Sequence, residues 1–370
     1  MAAFPEQTRW ILARAVGQGG EAVGGKLPEA GYPRPALEDF KMRREPAPTE
    51  ADLSDGEVLI EHHVLSVDPY VPAYMMKEPN VGKVIVAGAA GCVLASRSAQ
   101  FSVGDFVVGN GGAAERSVMP GDKIRRISPD EGSAVPYDVA KVPLSASLGI
   151  LGMPGATAFF ALRDIIGSDL TGKMIVVTGA AGAVGSAAGQ LAKIFGASMV
   201  VGFAGTDAKC DLGRMKYGFD RMVNYKTADI EAELQAACDA HAAQGGAEGT
   251  GAIFGFYDNT GGPVAKAVKA KMIDGGAVAK VGNIGGDDGY EDDGRLNVRG
   301  FYAGGIFDQW PEAIKAMAGY IEAGSLKYDE TVMNGIDNFP AAMMGMLAGK
   351  NEGKMIVVLK EKEGAALAGV

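Results

Sequence analysis

The residues with the clearest chemical meaning form one run, Met174-Ile-Val-Val-Thr-Gly-Ala-Ala-Gly-Ala-Val-Gly-Ser186. An apolar stretch leads into small residues and then directly into a helical period. Set against the spacing G-x-G-x-x-G, the first position is Ala180, the second Gly182 and the third Gly185. Glycine at 182 lets the backbone approach a diphosphate, and glycine at 185 lets the helix pack closely on the strand. The helix start supplies unpaired N–H groups and a partial positive charge for that anion. An NAD or S-adenosylmethionine site commonly carries an acid at the end of the second strand, for ribose hydroxyls. Here the second strand reads Met199-Val-Val-Gly-Phe-Ala-Gly-Thr-Asp-Ala-Lys209, with no acid at its end and Lys209 just beyond. A lysine there suits a 2′-phosphate, a contact of roughly 1.5–3 kcal/mol or about ten- to a hundredfold in preference. The expected cofactor is NADP.

Other reactive side chains are sparse. Cys92, Cys210 and Cys238 are odd in number and far apart, without a Cys-x-x-Cys pair, so neither a disulfide framework nor structural zinc is expected. Such thiol usage fits a reducing cytoplasm. His62 and His63 are adjacent in an expected strand and face opposite ways, so they cannot share a metal. His241 falls in an alanine-rich helical stretch. The acidic run holding Asp287, Asp288, Glu291, Asp292 and Asp293 fails the EF-hand spacing, since Gly289 takes the first ligand position. It reads as a solvated loop, and the chemistry is expected to be metal-free.

The elements that must position these residues fall into two kinds. Up to about residue 143, short β-type runs alternate with Gly, Pro and Asp: 9–15, 57–67, 83–95, 106–109 and 113–118. No helix-length amphipathic pattern precedes Ser145. From Met174 onward, apolar strands alternate with helices of about ten to fifteen residues, the pattern of a parallel sheet covered on both faces. The expected helices are 185–195, 207–216, 229–241 and 264–272; the strands are 174–178, 199–201, 222–224, 253–257, 277–281 and 298–302. Two further helices, 311–322 and 339–347, precede a closing β-run at 354–360 that can return to the first domain. The expected fold class is α/β. If the closing run does return, residues 1–143 and 328–370 form one β-rich domain, the expected substrate domain, around an inserted, doubly wound Rossmann domain of 144–327.

Composition agrees with a globular enzyme: 370 residues, 47% apolar, 22% charged, 7% aromatic. The 35 Lys and Arg against 45 Asp and Glu give a net charge of -10, so no basic footprint for nucleic acid or anionic membrane is present. No apolar run reaches the roughly twenty residues that span a bilayer. The first residues lack the basic and apolar regions of a secretory signal. The 55 glycines follow no period and cluster at the ends of apolar runs, as many tight turns require.

Seven motifs in order carry a resemblance. They are Val67-Asp-Pro-Tyr70, Leu151-Gly-Met-Pro-Gly-Ala-Thr-Ala-Phe-Phe160, Gly179-Ala-Ala-Gly-Ala-Val-Gly-Ser186, Gly205-Thr-Asp-Ala-Lys209, Asn224-Tyr-Lys226, Tyr257-Asp-Asn-Thr-Gly-Gly262 and Gly349-Lys-Asn-Glu-Gly-Lys354. Together they resemble the zinc-free branch of the medium-chain dehydrogenase/reductases, and within it the NADPH-dependent alkenal, prostaglandin (leukotriene B4 dehydrogenase-like) and curcumin reductases. The resemblance runs from about Glu57 to Leu359. It implies a GroES-like β-domain built from both chain ends, a Rossmann domain inserted between them, and a homodimer. By motif position it assigns Gly182, Ala183, Val184 and Gly185 to the diphosphate, and Lys209 with Tyr225 to the 2′-phosphate. Asn259 lines the cofactor groove; Gly282, Asn283 and Ile284 follow the nicotinamide side; Phe301 and Asn351 complete that pocket, with Thr157 also carried over.

The departures fall on the substrate side. Tyr70 is followed by Val71-Pro72 where the family continues with Met-Arg, Phe159 stands where a Tyr is frequent, and Tyr290 sits between acidic flanks. The implied reaction is hydride transfer from C4 of NADPH to the β-carbon of an α,β-unsaturated ketone or aldehyde. A hydrogen-bond donor must then meet the developing enolate oxygen, and Tyr70 or Tyr290 can do so. A quinone reductase of the same branch and a non-catalytic NADPH-binding protein are the competing readings. A methyltransferase is disfavoured by the missing acid after Met199–Phe203.

Overall fold

The fold was taken from a computed structural model of the chain. The structure describes residues 6–16, 34–130, 133–245, 252–286 and 294–360. They group into two compact units, one built from both chain ends, up to Gly152 and again from Glu330, the other from Met153–Asp329.

The first unit opens with an antiparallel pair, β1 (Glu6–Leu12) and β2 (Phe40–Pro46). Then come β3 (Glu57–Ser66), a short helix α1 (Val71–Met75), β4 (Ala89–Ser96), β5 (Phe106–Gly109), β6 (Arg116–Pro120) and β7 (Ile124–Arg126). The second unit runs α2 (Met153–Ala161), β8 (Met174–Thr178), α3 (Ala183–Ile194), β9 (Met199–Ala204), α4 (Asp207–Met215) and β10 (Arg221–Asn224). It continues with α5 (Ile230–Ala243), β11 (Ile253–Asp258), α6 (Gly262–Ala270), β12 (Met272–Lys280), β13 (Asn297–Gly300) and α7 (Trp310–Glu322). The chain then re-enters the first unit with β14 (Glu330–Asn334), α8 (Phe339–Leu347) and β15 (Lys354–Val358).

In the first unit the main sheet has the order β14-β15-β3-β4-β5-β7, with β6 paired to β3. The closing strand does return: β15 pairs antiparallel with β3, Ile356 opposite Ser66 and Val358 opposite Val64. Every β15 side chain is buried. Val58, Ile60, Val93, Phe101, Val107, Met119 and Ile124 form a core beneath the sheet.

In the second unit all six strands are parallel, in the order β10-β9-β8-β11-β12-β13. The chain moves outward from β8 to β10, then restarts at β11 and moves the other way. The strand order therefore reverses between β8 and β11, the place where such sheets open a ligand crevice at the carboxyl ends of their strands. Every residue of β8 and β9 is buried, as full cover on both faces requires. No helix among the described residues is long and apolar enough to cross a membrane.

Several elements have no counterpart in the sequence reading: β2, β7, β14, the short helix α1 and the helix α2. Apart from α2, the strands and long helices of the α/β half match the sequence expectation to within a few residues, the strand β12 excepted, which begins at Met272 rather than 277.

Candidate active site

The carboxyl end of β8 turns through Gly179, whose φ of 63° lies in the left-handed region that glycine enters without strain. Gly182 N–H then donates to the Gly179 carbonyl at 2.9 Å and closes the turn. Gly182 is the N-cap of α3, and no side chain caps the helix. The first-turn N–H groups of Ala183, Val184 and Gly185 are thus available at the positive end of a twelve-residue helix. A Cβ on Gly185 would strike the Gly179 carbonyl, so this helix can sit so close to the turn only because residue 185 has no side chain. A helix start of this kind can hold a diphosphate.

At the end of β9, Thr206 caps α4 by accepting from Lys209 N–H at 3.3 Å, which places Lys209 in the first helical turn. Asn224 ties β10 to the same helix through Nδ2, which donates to Asp207 Oδ1 at 2.8 Å. Tyr225 N–H donates to the Ala204 carbonyl, and the ring is 43% exposed. A Cβ built on Gly205 would lie 3.0 Å from Tyr225 Oη and 3.3 Å from Lys226 Cε. Tyr225 and Lys226 therefore flank the turn that leads to Lys209. Lys226 went without a role in the sequence reading, although it stands in the quoted Asn224-Tyr-Lys226; its proximity comes from pairing of β9 with β10, which spacing does not reveal.

Across the switch point, Asn259 Nδ2 donates to the Thr178 carbonyl at 2.7 Å, and Asn259 N–H donates to Thr178 Oγ1 at 2.9 Å. These bonds lock the exits of β8 and β11 together. Beneath them, Asp258 is fully buried, and its Oδ1 accepts from Thr178 Oγ1, Thr260 N–H and Gly261 N–H. Burial raises its carboxyl above the ordinary range against the pull of those donors. A Cβ on Gly282 would strike the Asn259 carbonyl, so the exit of β12 is pressed against that of β11. Asn283 follows with a buried Oδ1 that has no partner, and Ile284 is half-buried. Phe301 N–H donates to the Lys280 carbonyl and extends the pairing of β12 with β13 by one residue. The expected cofactor residues of this unit thus line the carboxyl ends of one sheet.

Thr157 is placed differently. It lies on α2, its Oγ1 donates to the Met153 carbonyl at 2.7 Å, and its own carbonyl accepts from Tyr257 Oη at 2.9 Å. Its hydroxyl proton is spent within the helix. Tyr70 and Asn351 belong to the first unit. Tyr70 is half-buried at the N-cap of α1, and Asn351 Nδ2 donates to the Gly353 carbonyl in the turn before β15. Tyr290 and the acidic 287–293 run lie outside the described residues.

No group of three His, Cys, Asp or Glu able to hold a metal stands together among the described residues. His62 is buried with Nδ1 on the Ala114 carbonyl and Nε2 on Ser117 Oγ, both at 2.8 Å, which occupies both ring nitrogens. Burial pushes the Cys210 and Cys238 thiols up, away from the thiolate a zinc needs.

Known proteins are similar to this chain in sequence and fold. Residues 29–127 match a family model described as the N-terminal domain of oxidoreductase, and 183–319 one described as zinc-binding dehydrogenase, whose metal donors the described residues do not assemble. Prostaglandin reductase 1 of Sus scrofa is 34% identical over 349 residues, covering 88% of this chain and 95% of that protein. The 2-alkenal reductase (NADP(+)-dependent) of Nicotiana tabacum is 30% identical, covering 90% and 95%. Among solved structures, CurA from Vibrio vulnificus in complex with NADPH superposes with a TM-score of 0.77 at 28% identity, covering 96% of this chain and all of that one. The chain belongs to the medium-chain dehydrogenase/reductase superfamily, in the branch of the prostaglandin and 2-alkenal reductases, and is an oxidoreductase.

Proposed function

We propose that the protein reduces the C=C bond of α,β-unsaturated ketones or aldehydes with NADPH. The observation that carries this reading is the uncapped α3 terminus with Lys209 one strand away and Tyr225 two, the spacing that a dinucleotide with a 2′-phosphate needs. When bound, the nucleotide supplies a hydride from C4 of its nicotinamide. The N–H groups of Ala183, Val184 and Gly185, with Gly182, hold the diphosphate. Lys209 and Tyr225 hold the 2′-phosphate. Asn259, Gly282, Asn283, Ile284 and Phe301 line the nicotinamide side, with Thr157 and Asn351 as further members. As the β-carbon gains hydride, charge builds on the substrate oxygen, and a phenol hydroxyl, Tyr70 or Tyr290, donates to it. The α-carbon takes its proton from solvent or from that phenol.

We further read the chain as a cytoplasmic homodimer. β13 ends the six-stranded sheet and offers an edge that a second copy can extend, and the three cysteines are free thiols. Sedimentation of purified protein checks the dimer.

The test of the reaction is loss of NADPH absorbance with a small enone and, in parallel, with a quinone. Enone turnover outpacing quinone turnover supports the proposal. A faster quinone reaction makes the protein a quinone reductase, and NADPH binding without turnover makes it a binding protein.

A further inference from the structure

One charged cluster in the first unit is buried and takes no part in the chemistry described so far. The Lys354 and Asp68 side chains are each only 5% exposed, and their Nζ and Oδ1 atoms lie 2.8 Å apart. The ammonium also donates to the Val67 carbonyl at 2.6 Å, while Ser66 Oγ donates to the other oxygen of Asp68. Glu330 faces Lys354 across the β14–β15 pair; its Oε2 accepts from Ser145 Oγ at 2.8 Å, and its Oε1 is buried without a partner.

A buried ion pair is poor value as stabiliser, because taking both charges out of water costs about what their attraction returns, and apolar side chains of similar size do as well. What such a pair does supply is direction. Two bonds from one ammonium fix residues 67 and 68, immediately before Tyr70, onto a residue 286 positions later in the chain. That residue directly follows the turn of Asn351, whose side chain closes on the Gly353 carbonyl. Both turns carry residues assigned to the reaction.

We propose that Lys354 is a positioning residue: through Asp68 and the Val67 carbonyl it holds the Tyr70 turn and the Asn351 turn in one fixed arrangement. The coupling of the turns stands on the contacts alone; its bearing on turnover rests on the enone-reductase reading.

Hydrogen exchange of the full chain, with and without NADPH, reads the coupling directly. In Lys354→Met the amides of 67–71 are expected to exchange about tenfold faster, and in Asp68→Asn those of 351–353 likewise, with the β3 interior unchanged. Effects confined to the mutated side of the pair would overturn the proposal. If either single variant fails to fold, the triple variant Asp68→Asn/Glu330→Gln/Lys354→Met leaves no uncompensated charge in the cluster. It is expected to melt within a few degrees of the wild type, yet keep the fast exchange. Its kcat for enone is expected to fall by about ten- to a hundredfold while the Kd for NADPH stays within about threefold. Recovery of kcat together with melting temperature would assign the pair to stability and defeat the proposal. A wild type that turns over no enone would remove the reaction reading, and the exchange data alone would then decide the coupling.

Discussion

Lys209 is the residue on which, in the function proposed above, cofactor choice turns. It sits in the first turn of α4, where its charge adds to the N-terminal end of the helix, beside the turn that Tyr225 and Lys226 flank. Lys209→Ala is expected to weaken NADPH binding by about ten- to a hundredfold and to leave NADH binding nearly unchanged, as read by calorimetry with each nucleotide. A uniform loss for both would place the lysine's role in the helix rather than at the phosphate. The place of this residue in the fold was legible in the sequence because the signal is local: a strand, a short turn, a cation. Lys354 and Asp68 carried no such signal. A lysine and an aspartate far apart in the chain look like solvated side chains until the fold buries them together. Asp258 was hidden for a related reason: its three donors come from the turn it caps and from the neighbouring strand.

Elements were readable where their burial has a period. The inner Rossmann strands β8 and β9 are buried throughout and alternate with helices, so the order of elements could be read directly. α2 could not, since eight of its nine residues are buried and no polar face marks the helix. β2 is mostly exposed and highly charged, with Lys41, Arg43, Arg44 and Glu45, and owes its conformation to pairing with β1. β3 offers a pH test. The Ala114 carbonyl can only accept, so Nδ1 of His62 carries the proton and Nε2 accepts from Ser117 Oγ. Burial lowers its pKa from 6.5 to about 4. An unfolded chain takes up a proton below 6.5 that the native ring refuses until about 4, so this stability is complete above 6.5 and lost as pH falls through that window. The loss amounts to about 3 kcal/mol. Urea denaturation from neutral pH downward should show the gap between wild type and His62→Gln narrowing across that range.

At the scale of the molecule, the two units differ in how they are closed. The second holds, within Met153–Asp329, its own six-stranded sheet and its own core around Val176, Val201, Phe256 and Val278. Expressed alone, residues 153–329 are expected to unfold cooperatively in urea and to shift their midpoint upward with NADPH. A fragment ending at 152 is expected to give no cooperative transition, because β14 and β15, which cover the β3 end of its sheet, are missing. The divided architecture was foreseeable only as an option, since a terminal β-run does not announce its partner.

That missing neighbour has a consequence for how the protein is made. As the chain leaves the ribosome, the Val64–Ser66 margin of β3 must wait for Ile356–Val358 before its hydrogen bonds are filled. At ordinary synthesis speeds the delay is roughly 15–60 s. Throughout it, a nascent polypeptide whose later half has already matured still displays a raw, sticky seam near its beginning, which makes that seam the natural point of engagement for a holding chaperone.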